Sequence, residues 1–172
     1  MTYFRDLPIH ERRKQLGSMS EEMFDIYAKE KGNGSIKFGF HDEIKEFWKI
    51  PLFVRKTPDR VFIRSNEALF VEIKGCGREG IIKIKLEDLE SLDTWNKFLP
   101  VYFAFTNFYT KEVGMASLQT IQKIAPTKRI EEFPDNHKKY YVFLVNDFSS
   151  WYKLPDSNDL RKLFDKNRYY RY

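Results

Sequence analysis

Three residues whose types could do chemistry together, Asp59, Glu72 and Lys74, lie in one patterned stretch of the 172-residue chain. It runs from Thr57-Pro58-Asp59 through Arg60-Val61-Phe62-Ile63-Arg64, a polar Ser65-Asn66-Glu67 break, and Ala68-Leu69-Phe70-Val71-Glu72-Ile73-Lys74-Gly75. Two short runs rich in Val, Ile and Phe around a polar break predict a β-hairpin. Side chains alternate along a strand, so Phe70, Glu72 and Lys74 share one face while Leu69, Val71 and Ile73 share the other, where they can pack into a core. Asp59 stands just before the first strand, within reach of Glu72 on the second. Two carboxylates and an ammonium in one place suit a hard divalent cation, because Mg²⁺ prefers oxygen ligands and is commonly held by one or two carboxylates plus substrate phosphate oxygens. Such an ion polarises a phosphate and acidifies bound water, and Lys74 is placed to orient the attacking water or help deprotonate it. The chemistry this predicts is phosphodiester hydrolysis with Mg²⁺ or Mn²⁺.

Context, and not the Glu-x-Lys triplet, carries that reading. A second copy, Glu43-Ile44-Lys45, has no preceding strand and no Pro-Asp element, and reads as a solvated face with apolar anchors. Around the first copy, Arg55, Lys56 and Arg60 bracket Asp59 and would add positive potential beside a phosphate. Arg78, Lys83 and Lys85 follow it, the two lysines on one side of the alternating Ile81-Ile82-Lys83-Ile84-Lys85, as candidate contacts to a nucleic-acid backbone. The intervening Gly75-Cys76-Gly77-Arg78-Glu79-Gly80 lacks the Gly-Lys-Ser/Thr ending of a phosphate-cradling loop, so nucleotide hydrolysis is not supported. His41 at a strand end reads as structural.

Pro58-Asp59 followed by Glu72-Ile73-Lys74 resembles the PD-(D/E)XK nuclease superfamily, and within it the run is most similar to small phage Holliday-junction resolvases and related endonucleases. The resemblance covers roughly residues 21–107. It implies a restriction-endonuclease-like α/β core with a central mixed β-sheet flanked by helices, in the order αβββαβ. It further implies a glutamate from the first core helix at the metal site, Glu21 or its neighbour Glu22. Asp59, Glu72 and Glu21 would hold the metal, Lys74 would serve the water, DNA would be the substrate, and two copies would form a homodimer so that two sites cut two strands. An RNA endonuclease on the same scaffold is one alternative, although such domains typically carry a histidine where this chain has glutamates. A non-catalytic nucleic-acid-binding or assembly module is another.

The elements that must position these groups can be read in order. Residues 1–17 carry the charged run His10-Glu11-Arg12-Arg13-Lys14, a solvated face ahead of the core. Ser18 or Ser20 would cap a helix whose Met19, Met23, Ile26 and Tyr27 recur at helical spacing. Gly32-Asn33-Gly34 ends it, and Ser35 to Phe40 alternates as a strand. Leu86 to Phe98 has apolar residues every three, marking an amphipathic helix closed by Pro100. Val101-Tyr102-Phe103-Ala104-Phe105-Thr106 reads as a strand buried on both faces. Residues 108–172 add candidate strands at Val113–Ser117 and Tyr140–Val145, a short helix at Leu118–Ile124, a terminal helix within 156–164, and a tail, 166–172, whose interleaved bases and aromatics suit either phosphate contacts with base stacking or an edge packed on the domain or a partner subunit. No repeat or linker divides the chain, so a single domain of 1–172 with its core at 18–107 is expected.

Composition agrees with an ordinary folded domain. The chain is 42% hydrophobic, enough for a real core, and its net charge of +5 permits attraction to a polyanion without identifying one. The single cysteine, Cys76, cannot form an intrachain disulfide or a cysteine-based zinc site. No apolar run approaches the ~20 residues that cross a bilayer, and the first residues do not read as a signal peptide. A soluble cytoplasmic protein, in the host cytoplasm if phage-encoded, is the expectation.

Overall fold

The computed structural model describes residues 8–39, 49–51, 54, 56–77 and 79–166. Arg55, Arg78, His41, the second Glu-x-Lys copy and positions 167–172 of the tail lie outside the described residues.

The first helix, α1 (Ile9–Glu30), starts nine residues before the expected Ser18. Pro8 is its N-cap, and the charged run at 10–14 forms its first turns in place of a separate leader. Ser18 and Ser20 therefore sit inside the helix and cap nothing; the Ser20 hydroxyl donates back to the Leu16 carbonyl at 2.8 Å. The buried stripe of α1 is Met19, Met23, Phe24 and Ala28, with Ile26 and Tyr27 at its margin.

Six strands form the main sheet in the order β1-β2-β3-β5-β6-β9: β1 (Gly34–Lys37), β2 (Arg60–Arg64), β3 (Glu67–Gly75), β5 (Val101–Asn107), β6 (Glu112–Ser117) and β9 (Trp151–Lys153). Only the central pair β3 and β5 is parallel, which makes the sheet mixed. A parallel pair needs a crossover, and here it is built from β4 (Ile81–Lys85) and α2 (Leu86–Trp95). β4 leaves the main sheet and joins a second, three-stranded sheet with β8 (Lys139–Leu144) and β7 (Ile130–Glu132) in the order β4-β8-β7. The chain is completed by α3 (Leu118–Ile124) and by α4 (Asn158–Lys166). The αβββαβ order thus holds for the main sheet, with β4 as an extra strand inserted before the second helix.

Both faces of the main sheet are covered. α1 and α4 bury Leu69, Val71 and Ile73 of β3 together with Phe62 and Ala104. On the other side α2, α3 and the small sheet close over Phe70, Phe103 and Phe105, using Ile82, Ile84, Leu89, Leu92 and Phe143. Burial of each such Phe, Leu or Ile contributes about 1.5–3 kcal/mol, so the two layers hold β3 rigidly between them. The side of β3 that carries Glu72 and Lys74 is consequently covered as well.

Candidate active site

β2 and β3 pair in antiparallel register with Arg60 opposite Val71, so Asp59 is the residue just beyond the pair and falls beside Glu72 and Ile73. Its carboxylate accepts a hydrogen bond from the Ile73 backbone N–H at 2.6 Å. Glu72 points to the α2 side of the sheet and accepts from Lys74 Nζ at 2.6 Å. The sequence-derived trio Asp59, Glu72 and Lys74 is therefore gathered at the β2–β3 seam.

A fourth group completes the cluster. Asp88, in the first turn of α2, takes Lys74 Nζ at 2.9 Å on one oxygen and Lys56 Nζ at 2.9 Å on the other. Lys56 also reaches Glu87 at 2.8 Å. Lys56, expected beside a phosphate, is thus engaged by two carboxylates of α2. Sequence reading missed Asp88 because acids are ordinary in a helix's first turn, where the dipole favours them. Its signal is an acid spaced three residues after Lys85, where the helix follows directly on β4.

A tight turn makes that approach possible. Gly77 donates to the Ile81 carbonyl at 2.8 Å and Gly80 to Gly77 at 3.0 Å, so the chain reverses at once after β3. Gly80 has φ +70, and a Cβ there would lie 2.9 Å from the Val145 side chain, so only glycine fits. Lys83 and Lys85 share the outward side of β4 while Ile82 and Ile84 are buried. Lys83 Nζ lies 3.1 Å from the Tyr140 hydroxyl. Lys85 is lowered from the usual lysine value, first by burial and then by the neighbouring Lys74 and Lys56, with Asp88 opposing.

The two helix glutamates separate as the register requires. Glu21 forms an ion pair with Arg60 at 3.0 Å, whereas Glu22 pairs with Lys166 at 3.2 Å on the exposed side. Arg60 is turned inward: its side chain is 6% exposed, and it also forks onto Asp25, which in turn accepts from the Ser35 hydroxyl. Alternation on β2 puts Arg60 on the same face as buried Phe62, toward α1, and this is why it meets carboxylates of α1 and not solvent. Glu21 is held on that face, while Glu72 lies across the sheet, and among the described residues no three His, Cys, Asp or Glu side chains close on a common point. Replacing Arg60 with Ala should cost about 2 kcal/mol of stability, since it strips charged hydrogen bonds from Glu21 and Asp25, and Lys cannot restore the fork. Urea melts of Arg60→Ala and Arg60→Lys check this; a loss near zero in both would show that the fork carries no weight.

The site's electrostatics follow from burial. Asp59 is pushed up to about 6, by burial first, against the pull of Lys74 and the Ile73 N–H. Glu72 is pushed up to about 8, by burial and then by the Asp59 charge. Burial would lower Lys74, but Asp88, Glu72 and Asp59 outweigh it and hold its ammonium well above the usual range. For Asp88 burial is likewise outweighed, by Lys74 and Lys56, which hold it well below the usual carboxylate range. Two adjacent carboxyls that repel each other's charge are the donor set a cation would relieve, and two carboxylates suffice for Mg²⁺. The residues therefore fit a divalent metal.

These shifts predict a pH dependence in chelator. Unfolded carboxyls titrate near pH ~4. Above that, up to about 6 for Asp59 and about 8 for Glu72, the folded chain retains protons that the unfolded chain has lost, so stability falls as pH rises through this window. Asp88 acts oppositely, its contribution being complete above the unfolded value and lost on acidification. Urea midpoints between about pH 5 and pH 8 should decline; a midpoint that climbs across the range would contradict protonated buried acids.

Comparison with known proteins gives the fold. No family model matches the chain, and no curated protein matches its sequence. Among solved structures, the Holliday junction resolvase Hjc of Archaeoglobus fulgidus, an archaeal hyperthermophile, matches with a TM-score of 0.51 at 14% identity, over 77% of this chain and 91% of that one. D212, a nuclease from a fusellovirus, matches over 94% of this chain and 98% of its own at 15% identity, with a TM-score of 0.46. The resemblance read from Pro58-Asp59 and Glu72-Ile73-Lys74 is borne out at the level of fold: the mixed sheet flanked by helices is that of restriction-endonuclease-like nucleases. No helix among the described residues is long and apolar enough to cross a membrane.

Proposed function

We propose that the chain is a metal-dependent endonuclease that hydrolyses DNA phosphodiester bonds at the β2–β3 seam. The observation that carries this is the convergence of Asp59, Glu72 and Lys74 in a buried pocket of charge where burial raises both carboxyls and the Asp59 charge raises Glu72 further. Asp59 and Glu72 would hold Mg²⁺ or Mn²⁺, which supplies phosphate polarisation and a more acidic water. Lys74 stays charged and holds its ammonium at Glu72, placed to orient the attacking water and to face the negative charge that grows on the phosphoryl oxygens. Asp88 fixes that ammonium from the far side, and Arg60 keeps Glu21 on the α1 side close enough for its charge to bear on Asp59. We assign Glu21, and not Glu22, to the site for that reason.

Lys83 and Lys85 on the outer side of β4 lie along the path a DNA backbone would take past Lys74. Structure-selective cutting, in line with the fold likeness to a Holliday junction resolvase, and the homodimer that the sequence resemblance implies are further parts of the same proposal. The test is cleavage of labelled four-way junction, linear duplex, single-stranded DNA and RNA with Mg²⁺, Mn²⁺ or chelator. DNA cut only with metal supports the reading, and the preferred form names the substrate. RNA cut in preference to every DNA would replace it with the ribonuclease alternative. Salt-sensitive binding without any cutting would leave a binding module.

A further inference from the structure

Next to Lys74, at the end of β3, opens a cavity of about 730 Å³ that Asp59, Glu72 and Asp88 do not line. Its size is that of a small-molecule site, commonly about 300–1,000 Å³. One wall is the N-terminal half of α1 and the floor is Gly75 to Gly77. Gly75 lets helix and strand close together here, since a Cβ would lie 2.7 Å from the Ser20 hydroxyl. Three aromatic residues line it as well: Phe108 is buried against Gly75, Phe133 is half-buried against the Tyr140 ring, and Tyr109 is open to solvent. Tyr109 is 47% exposed, yet its backbone is fixed: buried Asn107 accepts from the N–H groups of Tyr109 at 3.1 Å and Thr110 at 3.3 Å. Phe133 is flanked by two cations, with the Arg13 guanidinium 4.7 Å and Lys83 Nζ 5.5 Å from its ring centre.

We propose that this cavity receives an unstacked nucleobase of the strand being cut, a reading that rests on the nuclease proposal in placing the scissile phosphate at Lys74. Lys74 lines both the cavity and the hydrolytic cluster, so a ligand spanning them joins a phosphate to something flat and apolar. In a nucleic acid that is the base. A second phosphate inside the cavity would have only Lys83 to meet it, since Glu79 also lines the cavity and Arg13 is already paired with Asp135. A neutral ring tolerates both, and aromatic faces bind any base by stacking. Paired duplex keeps its bases inward, and extruding one is least costly where the base is already unpaired. Single strands, mismatches and branch points are thereby favoured over continuous duplex.

The test is binding of a single-stranded oligonucleotide carrying 2-aminopurine, in chelator, followed by anisotropy and by fluorescence of the probe base. Stacking should quench the probe on saturation. Tyr109→Ala and Phe133→Ala should each weaken affinity about 5- to 150-fold, while Tyr109→Phe, which keeps the ring, should stay within about twofold. Thermal melts confirm that the variants are folded. Alanine variants that fold and bind as wild type overturn the proposal; should they fail to fold, a saturated wild-type complex without quenching overturns it instead. The outcomes separate from those of the nuclease reading, because quenching without metal-dependent cutting sinks only the latter, and cutting without quenching sinks only the base site.

Discussion

Lys74→Ala should slow metal-dependent DNA cleavage by about 10²–10⁴-fold, the usual range for removing a positioned proton-transfer or charge-stabilising group. Lys74 is clamped between Glu72 at 2.6 Å and Asp88 at 2.9 Å, so its ammonium has one position and needs no reorganisation when charge develops on the phosphate. Removing it does not leave the site with naked negative charge. Asp88 keeps Lys56, and Glu72 is already pushed toward its neutral form by burial and by Asp59. The variant should therefore fold, and single-turnover kinetics beside a thermal melt separate lost chemistry from lost structure. A folded variant whose rate stays within about tenfold of wild type would remove Lys74 from the mechanism.

Asp88→Ala should have the largest effect on stability, about 3–5 kcal/mol, because taking one partner from a buried ion pair strands the other. Without Asp88, Lys74 is left with Glu72, already pushed toward its neutral form, and Lys56 with the part-exposed Glu87. The Asp88 side chain is 7% exposed and those of Lys56 and Lys74 about a fifth, so solvent does little to compensate. Asp88→Asn keeps the shape and some hydrogen bonding but loses the charge, and should fall between alanine and wild type. Because Asp88 reaches the chemistry through Lys74, both variants should also lower the cleavage rate while leaving its metal requirement intact. Urea unfolding measures the first effect, and a loss below about 1 kcal/mol in Asp88→Ala would mean that the cluster is solvated and not a buried network.

The part of the site that the sequence makes legible is the part built by strand alternation. Within 57–75 a period of two, one proline and one polar break are enough to place Asp59 beside Glu72 and to put Lys74 on the same face. β5 is legible for a similar reason, as an apolar run with no polar face to offer solvent. Groups that arrive from elsewhere in the chain are not. Asp88 joins Lys74 only because β4 abandons the main sheet for the small one and swings α2 over β3, a long-range choice that no local pattern announces. β7 and β9, three residues each, are too short to show a period. The start of α1 at Ile9 is hidden because positions 10–15 are all polar residues, with Arg13 held by Asp135 and not by an apolar stripe. Arg60 obeys the same alternation rule that places Glu72, since it shares the α1 face with Phe62, although its charge by itself points toward solvent and phosphate.

The measurement that bears most directly on the central claim is single-turnover cleavage of labelled DNA by wild type and Glu72→Gln, each with Mg²⁺ and with chelator. The account predicts scission by wild type only with metal, and its loss by at least about a hundredfold in Glu72→Gln, which is isosteric and keeps the fold. Equal cutting by the two proteins, or none by folded wild type on any DNA form with either Mg²⁺ or Mn²⁺, would contradict a hydrolytic centre at Asp59, Glu72 and Lys74.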